Sequence, residues 1–154
     1  MLDRVLDRAW IATHIPHQGT MCLLDEVMTW DETRIACRAG SHRALDHPLR
    51  MHDRLGAACG IEYAAQAMAV HGALSTSTDA APRAGYLVSA RGVKLYASRL
   101  DDIAADLVVE AESIMNQANN VLYAFSIRAQ ERLLLQGRAA VVLDTAALAN
   151  GGKQ

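Results

Sequence analysis

Neither sign of charge is in excess: 15 Lys and Arg stand against 17 Asp and Glu, a net charge of −2. That balance gives no electrostatic reason to expect nucleic acid or an anionic membrane as partner. Cysteines are few and odd in number. Cys22, Cys37 and Cys59 lie in apolar segments without paired spacing, so they read as reduced, buried thiols of a cytoplasmic protein. No H-E-x-x-H and no Cys/His pairing occurs, and His42, His47 and His52 recur at fives in a loop, so no metal is expected. The absence of G-x-x-x-x-G-K-S/T, G-x-G-x-x-G and G-x-S-x-G argues against nucleotide binding and α/β-hydrolase chemistry. Asp3, Arg4, Asp7 and Arg8 sit where a signal peptide needs an apolar run, so no export signal is expected. The longest apolar stretch is interrupted by Glu62 and Gln66 and is too short to span a bilayer. Repeats, linkers and low-complexity blocks are missing as well.

What is present is an ordinary globular composition, 51% apolar and 21% charged in 154 residues, enough for one domain with a real core. We expect that domain over residues 1–145 and a frayed tail over residues 146–154. The organising stretch is residues 53–72, DRLGAACGIEYAAQAMAVHG. It is rich in helix-forming Ala and Met, carries no Pro, and is apolar nearly all round, as a helix buried on most sides must be. Asp53 is the expected N-cap. Glu62 and Gln66 lie four apart inside that apolar surface, one turn from each other on one face. A carboxylate there must be paired, neutralised or used.

The rest of the chain reads mainly as strands. Residues 2–10 suit a short amphipathic helix, Pro16 and Gly19 mark a turn, and residues 21–30 and 33–39 form a hairpin across Asp31-Glu32, with a kink or bulge near Asp25. Residues 40–52 are polar and irregular, and residues 75–83 are a turn-rich loop. Strands are expected at 86–96, 107–115, 121–129 and 133–143, with turns at Asn119-Asn120 and at residues 130–132. One long buried helix with about six strands is an α+β layer structure, most simply a sheet wrapped around the helix.

Three segments then carry a family resemblance. Ile15-Pro16-His17 followed by MCLLDEV at 21–27 resembles the "PH…LLxDxV" entry of the β-hydroxyacyl-acyl-carrier-protein dehydratases. GIEYAAQAMA at 60–69 is similar to their helix signature, and LLLQGRAAVVL at 133–143 to their last strand. The helix and the Pro-bearing entry look closer still to the divergent branch found in aryl-polyene synthesis. The resemblance implies a hotdog fold. It also implies dehydration of a 3-hydroxyacyl thioester, carried on acyl carrier protein or coenzyme A, with no cofactor beyond that phosphopantetheine. The family's Gly/Pro-rich "GHFPxxPxxPG" segment is largely absent from residues 47–56. Counting back from Glu62, its catalytic His falls on Pro48; a one-residue insertion would move it to His47, and His52 falls where the family often has a second His.

That chemistry needs a base for the C2 proton, an acid for the C3 hydroxyl and donors for the thioester oxygen. His47 suits the base and Glu62 the acid, its pKa expected to rise through burial. His52 is the competing base. Backbone N–H groups of Gly56 and Ala57, in the first helical turn, are the candidate oxyanion donors, and Gln66 is placed to hold the carboxyl. His17 reads as a structural turn residue, and His14, His42 and His71 as surface or loop residues. In the family the paired His and acid come from opposite subunits, so a homodimer or higher oligomer, or a heterodimer with a related hotdog subunit, is expected. The alternatives are a hotdog thioesterase using the same carboxylate on water, and a non-catalytic half-site subunit.

Overall fold

A computed structural model describes residues 6–17, 19–75, 86–117 and 120–142. A short helix α1, Arg8–His14, opens the described chain, with Asp7 as its N-cap accepting from the Trp10 N–H at 3.0 Å. A 3-10 turn, Gly19–Met21, leads through buried Leu23 and Leu24 to β1, Glu26–Trp30, and β2, Arg34–Ala39. After a loop come a 3-10 turn, Ala57–Cys59, and the long helix α2, Gly60–Ser75. Strands β3 (Tyr86–Leu95), β4 (Leu107–Gln117), β5 (Asn120–Ala129) and β6 (Arg132–Val142) complete the order.

All six strands join one antiparallel sheet in the order β1-β2-β4-β5-β6-β3. Alternation decides its buried face: Val121, Tyr123, Phe125 and Ile127 of β5 are buried against the helix, while Leu122, Ala124 and Ser126 point the other way. Helix α2 packs against β2, β3, β4, β5 and β6, so the sheet curls around it. Close approach starts at Gly60, where a Cβ would stand 2.7 Å from Leu135 Cδ2 and 2.9 Å from Ile127 Cδ1. A side chain there would have to displace those methyls, and the backbone angle itself does not demand glycine.

Strand boundaries fall close to those read from periodicity, and the exceptions have local causes. Residues 21–25 are not strand, because a 3-10 turn and buried Leu23 and Leu24 occupy them. The irregularity of β1 lies between Val27 and Thr29, not at Asp25. Asp53 caps nothing: His52 and Asp53 both have positive φ (54° and 62°) and form the tip of a two-residue turn closed by the Met51–Arg54 bridge. The helical stretch therefore starts later, with Gly56 before its 3-10 turn. The expected loop at 75–83, apart from Ser75, and the tail at 146–154 lie outside the described residues, as does Asn119 of the β4–β5 turn.

Candidate active site

Glu62 sits in the first turn of α2, and two donors converge on one oxygen of its carboxyl. His17 Nε2 lies 2.8 Å from Glu62 Oε2, and Gln66 Nε2 lies 3.3 Å from the same atom. The segment before the 3-10 turn carries His17, held in place by α1 and by Gln66. Ile11 and Ile15 are buried, and Arg8 donates to the Gly19 carbonyl at 2.9 Å. Gln66, fully buried, accepts the Leu23 N–H at 2.9 Å and donates to the Met21 carbonyl at 2.7 Å. Backbone groups thus fix which end of the amide faces where, and the NH2 end is the one left to reach Glu62.

Burial is the largest single influence on Glu62 and pushes its pKa up. The hydrogen bonds from His17 and Gln66, with the charge of His17, outweigh it and hold the carboxyl below its ordinary value. This corrects the sequence expectation of a raised pKa, which counted desolvation without the two donors. Glu62 rests as a carboxylate, and His17 gives it the Nε2 proton. His17 Nδ1 is buried and has no hydrogen-bond partner among the described residues.

Both ring nitrogens of His47 are engaged within the chain. It is buried, its Nδ1 accepts the Leu49 N–H at 3.1 Å, and its Nε2 meets the Tyr63 hydroxyl at 3.0 Å. Tyr63 in turn lies 2.7 Å from Ser41 Oγ, which donates to the Leu23 carbonyl at 2.8 Å. The polarity of this chain is forced: with Nδ1 accepting, Nε2 carries the proton, so neither ring nitrogen offers a lone pair. Burial, with help from the Arg50 and His42 charges, lowers the His47 pKa. Burial pushes the Tyr63 phenol up to about 12, so it stays a donor. His47 is a strap between the 41–49 loop and α2. His52 is exposed on its turn.

The two expected oxyanion donors separate. Ala57 N–H is already given to the Ser98 carbonyl at 3.1 Å, because residues 55–57 run beside 98–100 as a short antiparallel bridge. Gly56 N–H makes no hydrogen bond among the described residues, and a Cβ on Gly56 would meet nothing within 4 Å. His42 and His71, expected as surface or loop residues, are buried: His42 Nε2 gives its proton to the Ile103 carbonyl, and His71 links Tyr123 to the Asp31 carbonyl. His17 is the functional candidate that sequence reasoning set aside. Its signal in the sequence is the Pro16-His17 pair of the entry motif.

No group of described His, Cys, Asp and Glu residues is arranged to hold a metal ion. Among the described residues no helix is long and apolar enough to cross a membrane.

A six-stranded antiparallel sheet wrapped around one long helix, with a carboxylate in that helix's first turn, is the hotdog fold. Residues 9–149 match the ApeP-like family, described as ApeP dehydratase, and the chain belongs to that family, in the aryl-polyene-type branch of the hotdog dehydratases. Among solved structures, the dehydratase heterocomplex ApeI:P from Xenorhabdus doucetiae superposes with a TM-score of 0.73 at 20% identity, over 91% of this chain and 97% of that one. AziG of S. sahachiroi gives 0.59 at 13% identity, over 80% and 91%. A thioesterase from Haemophilus influenzae gives 0.56 at 14% identity, over 76% of each chain. At these identities the likenesses speak for the fold. No curated protein sequence matches the chain.

Proposed function

We propose that this dehydratase removes water from a 3-hydroxyacyl thioester, carried on the phosphopantetheine of acyl carrier protein or of coenzyme A, giving the trans-2-enoyl thioester. The observation that carries the reading is the 2.8 Å contact between His17 and Glu62, an acid–base pair built within one chain. Glu62 holds the Nε2 proton of His17 and leaves the Nδ1 lone pair as the base, as a carboxylate beside a histidine fixes its tautomer. His17 Nδ1 takes the C2 proton, and the electrons of that C–H bond form the C2–C3 double bond as the C3–O bond breaks. The Nε2 proton passes to Glu62, which delivers it to the departing hydroxyl, so water leaves with His17 protonated at Nδ1; loss of that proton to solvent and uptake of one at Nε2 after product release restore the pair. Nδ1 is shut off from solvent, which keeps water from competing for the proton; productive binding requires the His17 loop to open onto the acyl chain. Gly56 N–H serves as donor to the thioester oxygen, where negative charge grows as the C2 proton departs.

A second hotdog subunit completes the assembly in this reading. Among the described residues β3 is hydrogen-bonded on one side only, to β6, and it carries exposed Leu87 and Leu95, an edge that a partner's strand would cover. The ApeI:P relative is itself a heterocomplex, which favours a related subunit over a second copy. The three free thiols fit a reducing cytoplasm.

The test offers the protein, alone and with a related hotdog subunit, a 3-hydroxyacyl carrier-protein thioester. Formation of a conjugated enoyl product is expected, with His17→Ala and Glu62→Gln each losing at least about a hundredfold in rate. His47→Gln should keep turnover in whatever fraction stays folded. Release of free thiol would mean hydrolysis instead. Full turnover by folded His17→Ala would refute the pair.

A further inference from the structure

The face of the sheet turned away from α2 carries a feature that the acid–base pair does not use. Register sets three rows across β5, β6 and β3: Leu122–Ala140–Ser89, Ala124–Arg138–Arg91 and Ser126–Gln136–Lys94. Arg91 and Arg138 are thus direct cross-strand neighbours, an arrangement that like charges disfavour. Neither they nor Lys94 forms an ion pair with an acidic side chain among the described residues. Elsewhere the described arginines in ion pairs, such as Arg38, Arg43 and Arg99, have carboxylates beside them. Small residues in the central rows sink the floor: the groove holds about 720 Å3 and is lined by Ser89, Ala124, Gly137 and Ala140 together with Leu122 and the three cations. At its edge Gln136 donates to the Tyr96 hydroxyl at 3.1 Å.

We infer that this groove binds an organic phosphate, its phosphate group bridging Arg91 and Arg138 with Lys94 alongside and its organic body lying over Leu122, Ala124 and Ala140. A dianion between two facing guanidiniums turns their repulsion into charge-assisted hydrogen bonding, for which the fork of Arg is suited. The volume is that of a small-molecule site. Recognition here is by side-chain cations on a sheet, so the glycine-rich loops that cradle phosphates elsewhere are not required. A second copy seated face to face would set Arg91 and Arg138 against their own equivalents. The inference stands apart from the dehydration reading and from the identity of the base.

Calorimetric titration of the full chain with three probes tests it: phosphopantetheine, adenosine 3′,5′-bisphosphate and inorganic phosphate. The first two stand for the two ends of coenzyme A and report which source supplies the ligand. At least one is expected to bind at least about tenfold more tightly than inorganic phosphate, and the double variant Arg91→Ala/Arg138→Ala should lose at least about tenfold of that affinity. Added salt should weaken the interaction. Relief of the cross-strand repulsion should leave the double variant at least as heat-stable as the parent, which separates lost binding from lost fold. Failure of both organic phosphates to bind, or equal binding by the double variant, overturns the inference. So does a face-to-face assembly, seen as a doubled mass in sedimentation that Leu122→Asp abolishes.

Discussion

Replacing Gln66 by Leu isolates what one buried amide does for both the fold and the candidate site. Leucine is of similar size and helix propensity, so α2 itself should be little disturbed. What is lost is the acceptor for the Leu23 N–H at 2.9 Å, the donor to the Met21 carbonyl at 2.7 Å and the donor to Glu62 at 3.3 Å. Each backbone group left buried and unpaired costs about 1–3 kcal/mol, so the pair costs about 2–6 kcal/mol. That is a large share of the ~5–15 kcal/mol typical of a whole domain. Urea unfolding with an unchanged slope should report the loss. Glu62 would keep only His17 as donor while burial still pushes its pKa up, so that pKa should rise; carbon-detected NMR titration of the Glu62 carboxyl reads it. Gln66→Glu is the control, retaining the acceptor for Leu23 while losing both donors and adding a like charge beside Glu62. A Gln66→Leu protein within about 1 kcal/mol of the parent, with an unmoved Glu62 titration, would refute the argument.

Three other outcomes are expected. Burial lowers the pKa of His42, His47 and His71, so the folded chain binds fewer protons than the unfolded one; stability is complete above the ordinary histidine value near ~6.5 and falls as pH drops through it. Unfolding free energies at about pH 7.5 and 5.5 should differ in that direction, less so in His71→Gln, and a flat profile would contradict the assignment. Tyr63→Phe removes the acceptor for His47 Nε2 and the partner of Ser41, and thermal unfolding should show a loss of about 1–3 kcal/mol. Gly60→Val forces a branched side chain toward Leu135 and Ile127, whose methyls already crowd a single Cβ, and should cost about 1–3 kcal/mol by chemical denaturation.

The elements were legible because their signals are local. Alternation along 121–129 is the burial pattern of β5, and an apolar run without Pro from residue 55 onward is a helix enclosed by a sheet. Glu62 and Gln66 stood out for the same reason: a carboxylate and an amide one turn apart on a buried helix are anomalous wherever the helix is placed. The start of α2 is not legible in the sequence: Asp53 has the chemistry of an N-cap, while positive φ at His52 and Asp53 is a property of a closed turn that composition does not show.

Which histidine meets Glu62 was a different kind of question. His47 is nearer in sequence and lies in the segment where the family keeps its base, yet Tyr63 and Leu49 occupy both of its nitrogens. His17 is 45 residues away from Glu62 and reaches it because Gln66 pins the Met21 and Leu23 backbone to α2. The sequence by itself determined the elements, the buried helix and the carboxylate within it, since those follow from side-chain period and polarity. Only the tertiary structure decided the carboxylate's partner and charge state. Distance between chain-remote atoms and the number of donors on one oxygen are set by packing, and no spacing along the chain encodes them.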